Sequence, residues 1–133
     1  MSNQQLVLIV DDEPDFRDIF KTKILAGGFR VETAINGEEG IKKAKNLKPD
    51  LILMDMKMPI MDGAQALLKL REDQELKNIK VVFLTSLGDP RGETQELDRR
   101  FSKELGAQGY LKKTDDLDVL MEQIRMFLIK PVT

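Results

Sequence analysis

The chain has 133 residues, 41% of them hydrophobic and 33% charged, with a net charge of -2 and neither cysteine nor histidine. That length and mixture suit one globular domain with its own core and exclude a disordered chain. The near-neutral balance removes any bulk electrostatic drive toward nucleic acid or an anionic membrane. Absent Cys excludes disulfides and thiolate metal sites, and absent His excludes a histidine base, a histidine ligand or a phosphohistidine within this chain.

Residues 1–5 are a short polar lead without the basic and long apolar regions of a signal peptide, and no apolar run approaches the ~20 residues that span a bilayer. The expectation is a cytoplasmic protein with no membrane contact. Leu6 to Val10 is an all-apolar run, as a strand buried on both faces requires, and it ends in Asp11-Asp12-Glu13-Pro14. Pro14 favours the first turn of a helix, whose apolar face is Phe16, Ile19, Phe20 and Ile24 and whose stop is Gly27-Gly28. Phe29 to Ala34 alternates apolar and polar, suiting a strand with one wet face. Asn36 and Glu39 resemble a capping box for a short helix through Ile41, Ala44 and Leu47.

Leu51-Ile52-Leu53-Met54 is a third strand, running straight into Asp55 and then turning at Pro59 and at Asp62-Gly63. Ala64, Leu67 and Leu68 mark a third helix, and Val81 to Leu84 a fourth strand ending at Thr85-Ser86. Gly88 to Gly92 reads as a loop, and Glu93 to Leu105 as a largely exposed helix with a narrow stripe of Leu97, Phe101 and Leu105. A short fifth strand through Tyr110 and Leu111 ends at Lys112-Lys113. Thr114 or Asp115 is expected to cap a last helix built on Leu117, Leu120, Met121, Ile124, Phe127 and Leu128, closed by Pro131.

Five strands alternating with helices predict an α/β fold, a doubly wound parallel sheet with helices on both faces. Right-handed crossovers bring all five carboxyl ends to one edge, and five strands suit the order 2-1-3-4-5, with the switch point between strands 1 and 3. Asp11, Asp12 and Asp55 then converge. Three carboxylates in one crevice repel one another unless a cation joins them, and an all-oxygen donor set selects Mg²⁺, Mn²⁺ or Ca²⁺. Thr85 offers a hydroxyl on the same rim and Lys112 an ammonium. Alone, an acidic pair before a helix is usually a cap, and a strand-end Thr or Lys is usually structural or solvated. Together they match phosphoryl transfer, in which metal and lysine neutralise phosphoryl oxygens and one carboxylate attacks phosphorus.

These residues resemble a response-regulator receiver domain of two-component signalling: Asp11-Asp12 after the first strand, Asp55 after the third with Pro59 and Asp62-Gly63 beyond, Thr85 after the fourth and Lys112 after the fifth. The resemblance spans roughly Leu6 to Leu128. It implies a flavodoxin-like fold and a single receiver domain over residues 1–133, with its core at about 6–129. It makes Asp55 the phosphoacceptor, with Mg²⁺ (or Mn²⁺) held by Asp12, Asp55 and the backbone carbonyl of Lys57 and by Asp11 through water. Lys112 would grip a phosphoryl oxygen, while Thr85 and Tyr110 would switch. The implied donor is a histidine kinase or histidine phosphotransfer protein. The implied output is a protein target on the face of the Glu93–Leu105 helix, the fifth strand and the last helix, with no direct nucleic acid. Such a domain catalyses only its own phosphorylation and dephosphorylation.

Three departures stand out. Lys112 is followed by Lys113 where the family usually has proline, often after a cis peptide, and retained cis geometry is the expectation. The Thr85-to-Lys112 segment is longer than usual, with the excess expected in Gly88–Gly92. Lys57 and Leu87 flank the phosphoryl site without being good positioners of a hydrolytic water, which predicts a long-lived phosphorylated form. The competing readings are a docking module that no longer uses phosphate, an aspartyl-phosphate phosphatase and an FMN protein. The intact acidic pair, Asp55, Thr85 and Lys112 argue against the first. The phosphatase would want an acid where Lys57 stands, and Asp11-Asp12-Glu13 would repel the FMN phosphate.

Overall fold

A computed structural model describes residues 4–85, 103–104 and 106–129. The described elements run β1 (Leu6–Val10), α1 (Pro14–Ala26), β2 (Arg30–Ala34), α2 (Gly37–Leu47), β3 (Leu51–Asp55), α3 (Gly63–Glu72), β4 (Lys80–Thr85), β5 (Gly109–Lys112) and a C-terminal helix, α4 (Leu117–Leu128). The strands form one sheet in the order β2-β1-β3-β4-β5, and each neighbouring pair is parallel. This is the doubly wound order expected from the sequence. The expected helix at Glu93–Leu105 and the loop at Gly88–Gly92 lie outside the described residues, apart from a few at the helix's end. No cis peptide occurs among the described residues, so the Lys112–Lys113 bond is trans, contrary to the expectation of retained cis geometry.

Strand alternation divides the core in two. Val7, Ile9, Leu51, Leu53, Val82, Leu84 and Leu111 face α1 and α4 and pack on Phe20, Ile24, Leu120 and Ile124. Leu8, Val10, Ile52, Met54, Val81 and Phe83 face α2 and α3 and pack on Ala44, Ala66, Leu67 and Leu70. β1 and β3 are buried along their whole length because both faces carry helices, so their sequences are continuous apolar runs. β2 lies at the sheet edge and keeps the alternation. Gly40 lets α2 approach β1, since a Cβ there would stand 2.9 Å from Val10 Cγ2.

Helix ends follow local chemistry. Asn36 caps α2 by accepting the Glu39 N–H at 2.9 Å, but the Glu39 carboxylate reaches the Ile35 N–H rather than that of Asn36. The complete capping box is at α3, where Asp62 and Gln65 bond each other's backbone N–H groups. α4 is capped by Asp116, which accepts the Asp118 N–H at 2.8 Å, and not by Thr114 or Asp115 as the sequence reading expects. On α3 the core positions are Ala66, Leu67 and Leu70, while Leu68, one of the apolar residues that mark the helix, is exposed.

Candidate functional site

The carboxyl ends of β1, β3, β4 and β5 meet at one edge, and the expected carboxylates gather there. One oxygen from each of Asp11, Asp12 and Asp55 lies within 4.8 Å of the others. Strand periodicity aims two of them. Asp11 continues the Val7–Ile9 row and Asp55 the Leu51–Leu53 row, so both follow the face that packs on α1 and α4. Both are buried, whereas Asp12 is exposed at the rim. Backbone groups hold them: the Asp11 N–H donates to the Ala34 carbonyl at 3.0 Å, and Asp11 Oδ1 accepts the Glu13 N–H at 2.8 Å. Asp55 Oδ1 faces the Lys57 N–H at 3.4 Å, a long contact.

The cation among them is Lys113, not Lys112. Lys113 Nζ lies 2.6 Å from Asp11 Oδ2, 2.7 Å from Glu13 Oε1 and 3.2 Å from Asp55 Oδ2, and 4.7 Å from the centre of the Phe16 ring. Its side chain is 6% exposed. Lys112 is the last residue of β5 and is exposed. The sequence-based placement of the lysine at Lys112 is therefore corrected by one position, and the reason is the two-residue period of a strand. Leu111 faces α1 and α4, so Lys113 follows it onto the side of Asp11 and Asp55, while Lys112 goes with Tyr110 to the other side. Glu13, which the sequence reading used only as part of an acidic helix start, is the pocket residue it missed.

Thr85 ends β4 half-buried, opposite Lys112 in register, and its carbonyl accepts the Lys113 N–H at 2.8 Å. Tyr110 is half-buried in β5, with its ring 6.0 Å from that of Phe83. Lys57 is exposed. Ile60, in the turn beyond, is exposed at φ 72°, a left-handed conformation uncommon for a β-branched residue. Leu87 lies outside the described residues.

The electrostatics are unbalanced toward negative charge. Burial pushes the Asp55 carboxyl up to about 6; the charge of Lys113 opposes this and outweighs the repulsion from Asp11, but does not cancel the effect of burial. Burial also raises Asp11 against the pull of Lys113. Burial disfavours the Lys113 ammonium, but its bonds to Asp11 and Glu13 and the charge of Asp55 outweigh that and hold its pKa above the ordinary lysine value. One lysine thus faces two buried carboxylates and two exposed ones. A crowded, purely oxygen donor set with excess negative charge fits a hard divalent cation, and Asp11, Asp12 and Asp55 are the side chains that could hold it.

The turn after β3 is fixed by a close approach. The Gly63 N–H donates to the Met56 carbonyl at 2.9 Å, and a Cβ on Gly63 would stand 2.5 Å from the Asp55 carbonyl oxygen and 2.8 Å from Phe83 Cε1. Gly63→Ala is expected to cost about 1–3 kcal/mol of stability by overpacking. It should also displace Asp55, and urea denaturation with a Mg²⁺ titration reads both effects.

Comparison with known proteins places this geometry. Residues 7–125 match the response regulator receiver domain family. The chain is 33% identical over 122 residues to the DNA-binding dual master transcriptional regulator RpaA of Synechocystis, covering 92% of this chain and 48% of that protein, so it spans about half the length of that relative. It is 33% identical over 129 residues to sporulation initiation phosphotransferase F of Bacillus subtilis, covering 96% of both. The chemotaxis protein CheY4 of Vibrio cholerae superposes with a TM-score of 0.80 at 27% identity, covering 94% of this chain and 99% of that one. With the β2-β1-β3-β4-β5 sheet and the acidic pocket at its carboxyl edge, the chain belongs to the response regulator receiver domain family, the signalling switches of two-component systems.

Proposed function

We propose that Asp55 takes a phosphoryl group from the phosphohistidine of a histidine kinase or a histidine phosphotransfer protein, and that this chain works as the switch of a two-component system or phosphorelay. One observation carries the reading: a buried aspartate at the end of the central strand, beside a second buried aspartate and a buried lysine. In the transfer a carboxylate oxygen of Asp55 forms a bond to phosphorus as the phosphorus–nitrogen bond of the donor breaks. The electron pair leaves with the imidazole nitrogen. Lys113 stands 3.2 Å from Asp55 Oδ2, close enough to neutralise a phosphoryl oxygen delivered there, and Asp11 keeps it in place. Asp11, Asp12, Asp55 and the backbone carbonyl of Lys57 would hold Mg²⁺ or Mn²⁺. When bound, the ion supplies charge neutralisation at the same oxygens. The phosphohistidine of the donor lies outside these 133 residues, which contain no histidine.

Phosphorylation would bias a two-state element rather than create one. Thr85 and Tyr110 are the side chains proposed to move, and the output face would include β5 and α4. Among the described residues no helix is long and apolar enough to cross a membrane. The docking reading without phosphate is disfavoured by the pocket itself, since converging buried carboxylates weaken a fold that has no use for them.

The test is intact mass after incubation with Mg²⁺ and acetyl phosphate. Wild type is expected to gain one phosphoryl group and Asp55→Asn none. Failure of wild type to gain mass, together with no detectable Mg²⁺ binding, would return the docking module as the better reading. A time course after donor removal follows the lifetime of the adduct, which the exposed Lys57 leads us to place well beyond seconds.

A further inference from the structure

The Lys113 ammonium is ringed by carboxylates in the resting protein. It donates to Glu13 and Asp55 and lies 2.6 Å from Asp11 Oδ2 as an ion pair, and the Phe16 ring lies alongside. A phosphoryl oxygen arriving at Asp55 therefore competes with those carboxylates for Lys113. The three carboxylates differ in what giving up Lys113 entails. Asp11 is fully buried and cannot turn into water on leaving Lys113. Asp55 is the reacting group. The Glu13 carboxylate is 58% exposed and can rotate into water. The Glu13 backbone need not move, because its N–H is held by Asp11 Oδ1 at 2.8 Å and its carbonyl accepts the Arg17 N–H at 3.0 Å.

We propose that Glu13 is a latch on Lys113, holding one ammonium N–H in the resting protein and releasing it when a phosphoryl group reaches Asp55. The latch rests on the reading of Asp55 as phosphoacceptor and adds a rate-setting residue to it. Glu13 is a positioning residue here, acting through Lys113. Its charge at the mouth also opposes the approach of anionic donors. Together these slow phosphorylation, so that the switch reacts sparingly with small anionic donors.

The test compares wild type, Glu13→Gln and Glu13→Asp with acetyl phosphate at saturating Mg²⁺ and low salt. Half-exposed ion pairs are of modest strength, so Glu13→Gln is expected to raise the second-order rate constant by roughly threefold to fivefold. Glu13→Asp keeps the charge but is one methylene too short to reach as Glu13 does, and a smaller gain is expected. A purely structural role would not produce the second readout. The NMR signals of the Lys113 side chain should differ between wild type and Glu13→Gln in the unphosphorylated proteins and coincide once both carry the phosphoryl group, because the latch is then open in each. Unchanged thermal midpoints control for folding. A wild-type rate in Glu13→Gln, or a Lys113 difference that persists after phosphorylation, overturns the latch and leaves Asp55 as acceptor. If wild type gains no phosphoryl group at all, the latch falls together with that assignment.

Discussion

Lys113→Met is expected to destabilise the metal-free protein by about 3–5 kcal/mol near neutral pH, the usual effect of removing one partner from a buried ion pair. Methionine keeps an apolar stem beside Phe16, so the loss isolates the charge. Two buried carboxylates, Asp11 and Asp55, would be left without their cation. The loss should shrink in acid, where both carboxyls take up protons. The same substitution is expected to slow phosphorylation from acetyl phosphate by on the order of 10²-fold, as removal of one preorganised charge-stabilising donor does elsewhere. Lys112→Met provides the contrast. Lys112 is exposed at the end of β5, so stability should move by no more than about 0.5 kcal/mol and the rate should hold. Urea denaturation and a phosphorylation time course on the two variants decide the matter. The reverse ranking would restore Lys112 as the pocket lysine.

That one-residue displacement marks where the sequence stops being legible. β1 and β3 are uninterrupted apolar runs buried on both faces, so their ends, and with them Asp11 and Asp55, can be read without structure. The doubly wound order then follows from handedness alone. β5 is different: four residues, Gly109 to Lys112, with a single buried side chain at Leu111. A strand that short has no apolar row to show which of two consecutive lysines turns inward. Counting by two from Leu111 would have chosen Lys113, just as counting from Ile9 and Leu53 reaches Asp11 and Asp55. Glu13 was not legible either, because an acid before Pro14 has a sufficient local role at a helix start, and its contact with Lys113 joins residues a hundred positions apart. The burial of α3 is not legible for a related reason. The apolar residues of α3 exceed what one face can bury, and the choice of Leu67 and Leu70 over Leu68 depends on how the helix sits against β3 and β4.

Asp55→Asn is expected to stabilise the metal-free protein at pH 8, even though it removes the proposed acceptor. The folded state holds the Asp55 carboxyl at about 6, against 3.8 for the ordinary group. A raised acid pKa means that the folded chain binds its proton more tightly than the unfolded chain does. Stability from this group is therefore fully present below the ordinary value. It falls as pH rises through the window from about 4 to about 6 and stays lost above it. A gap of roughly two pH units corresponds to about 3 kcal/mol at 1.36 kcal/mol per unit. Asp11, raised in the same direction, steepens the fall, whereas the raised pKa of Lys113 acts only in the alkaline range. Asparagine keeps the shape of a protonated carboxyl. The variant should thus exceed wild type by about 3 kcal/mol at pH 8 and match it near pH 4. Saturating Mg²⁺ should narrow the difference at pH 8, because an ion that binds only the folded state stabilises wild type, while the variant has lost a ligand. Chemical denaturation at both pH values, with and without Mg²⁺, reads all four corners. A variant no more stable than wild type at pH 8 without metal would mean that Lys113 already balances the pocket, and the excess negative charge that calls for a divalent cation would not exist.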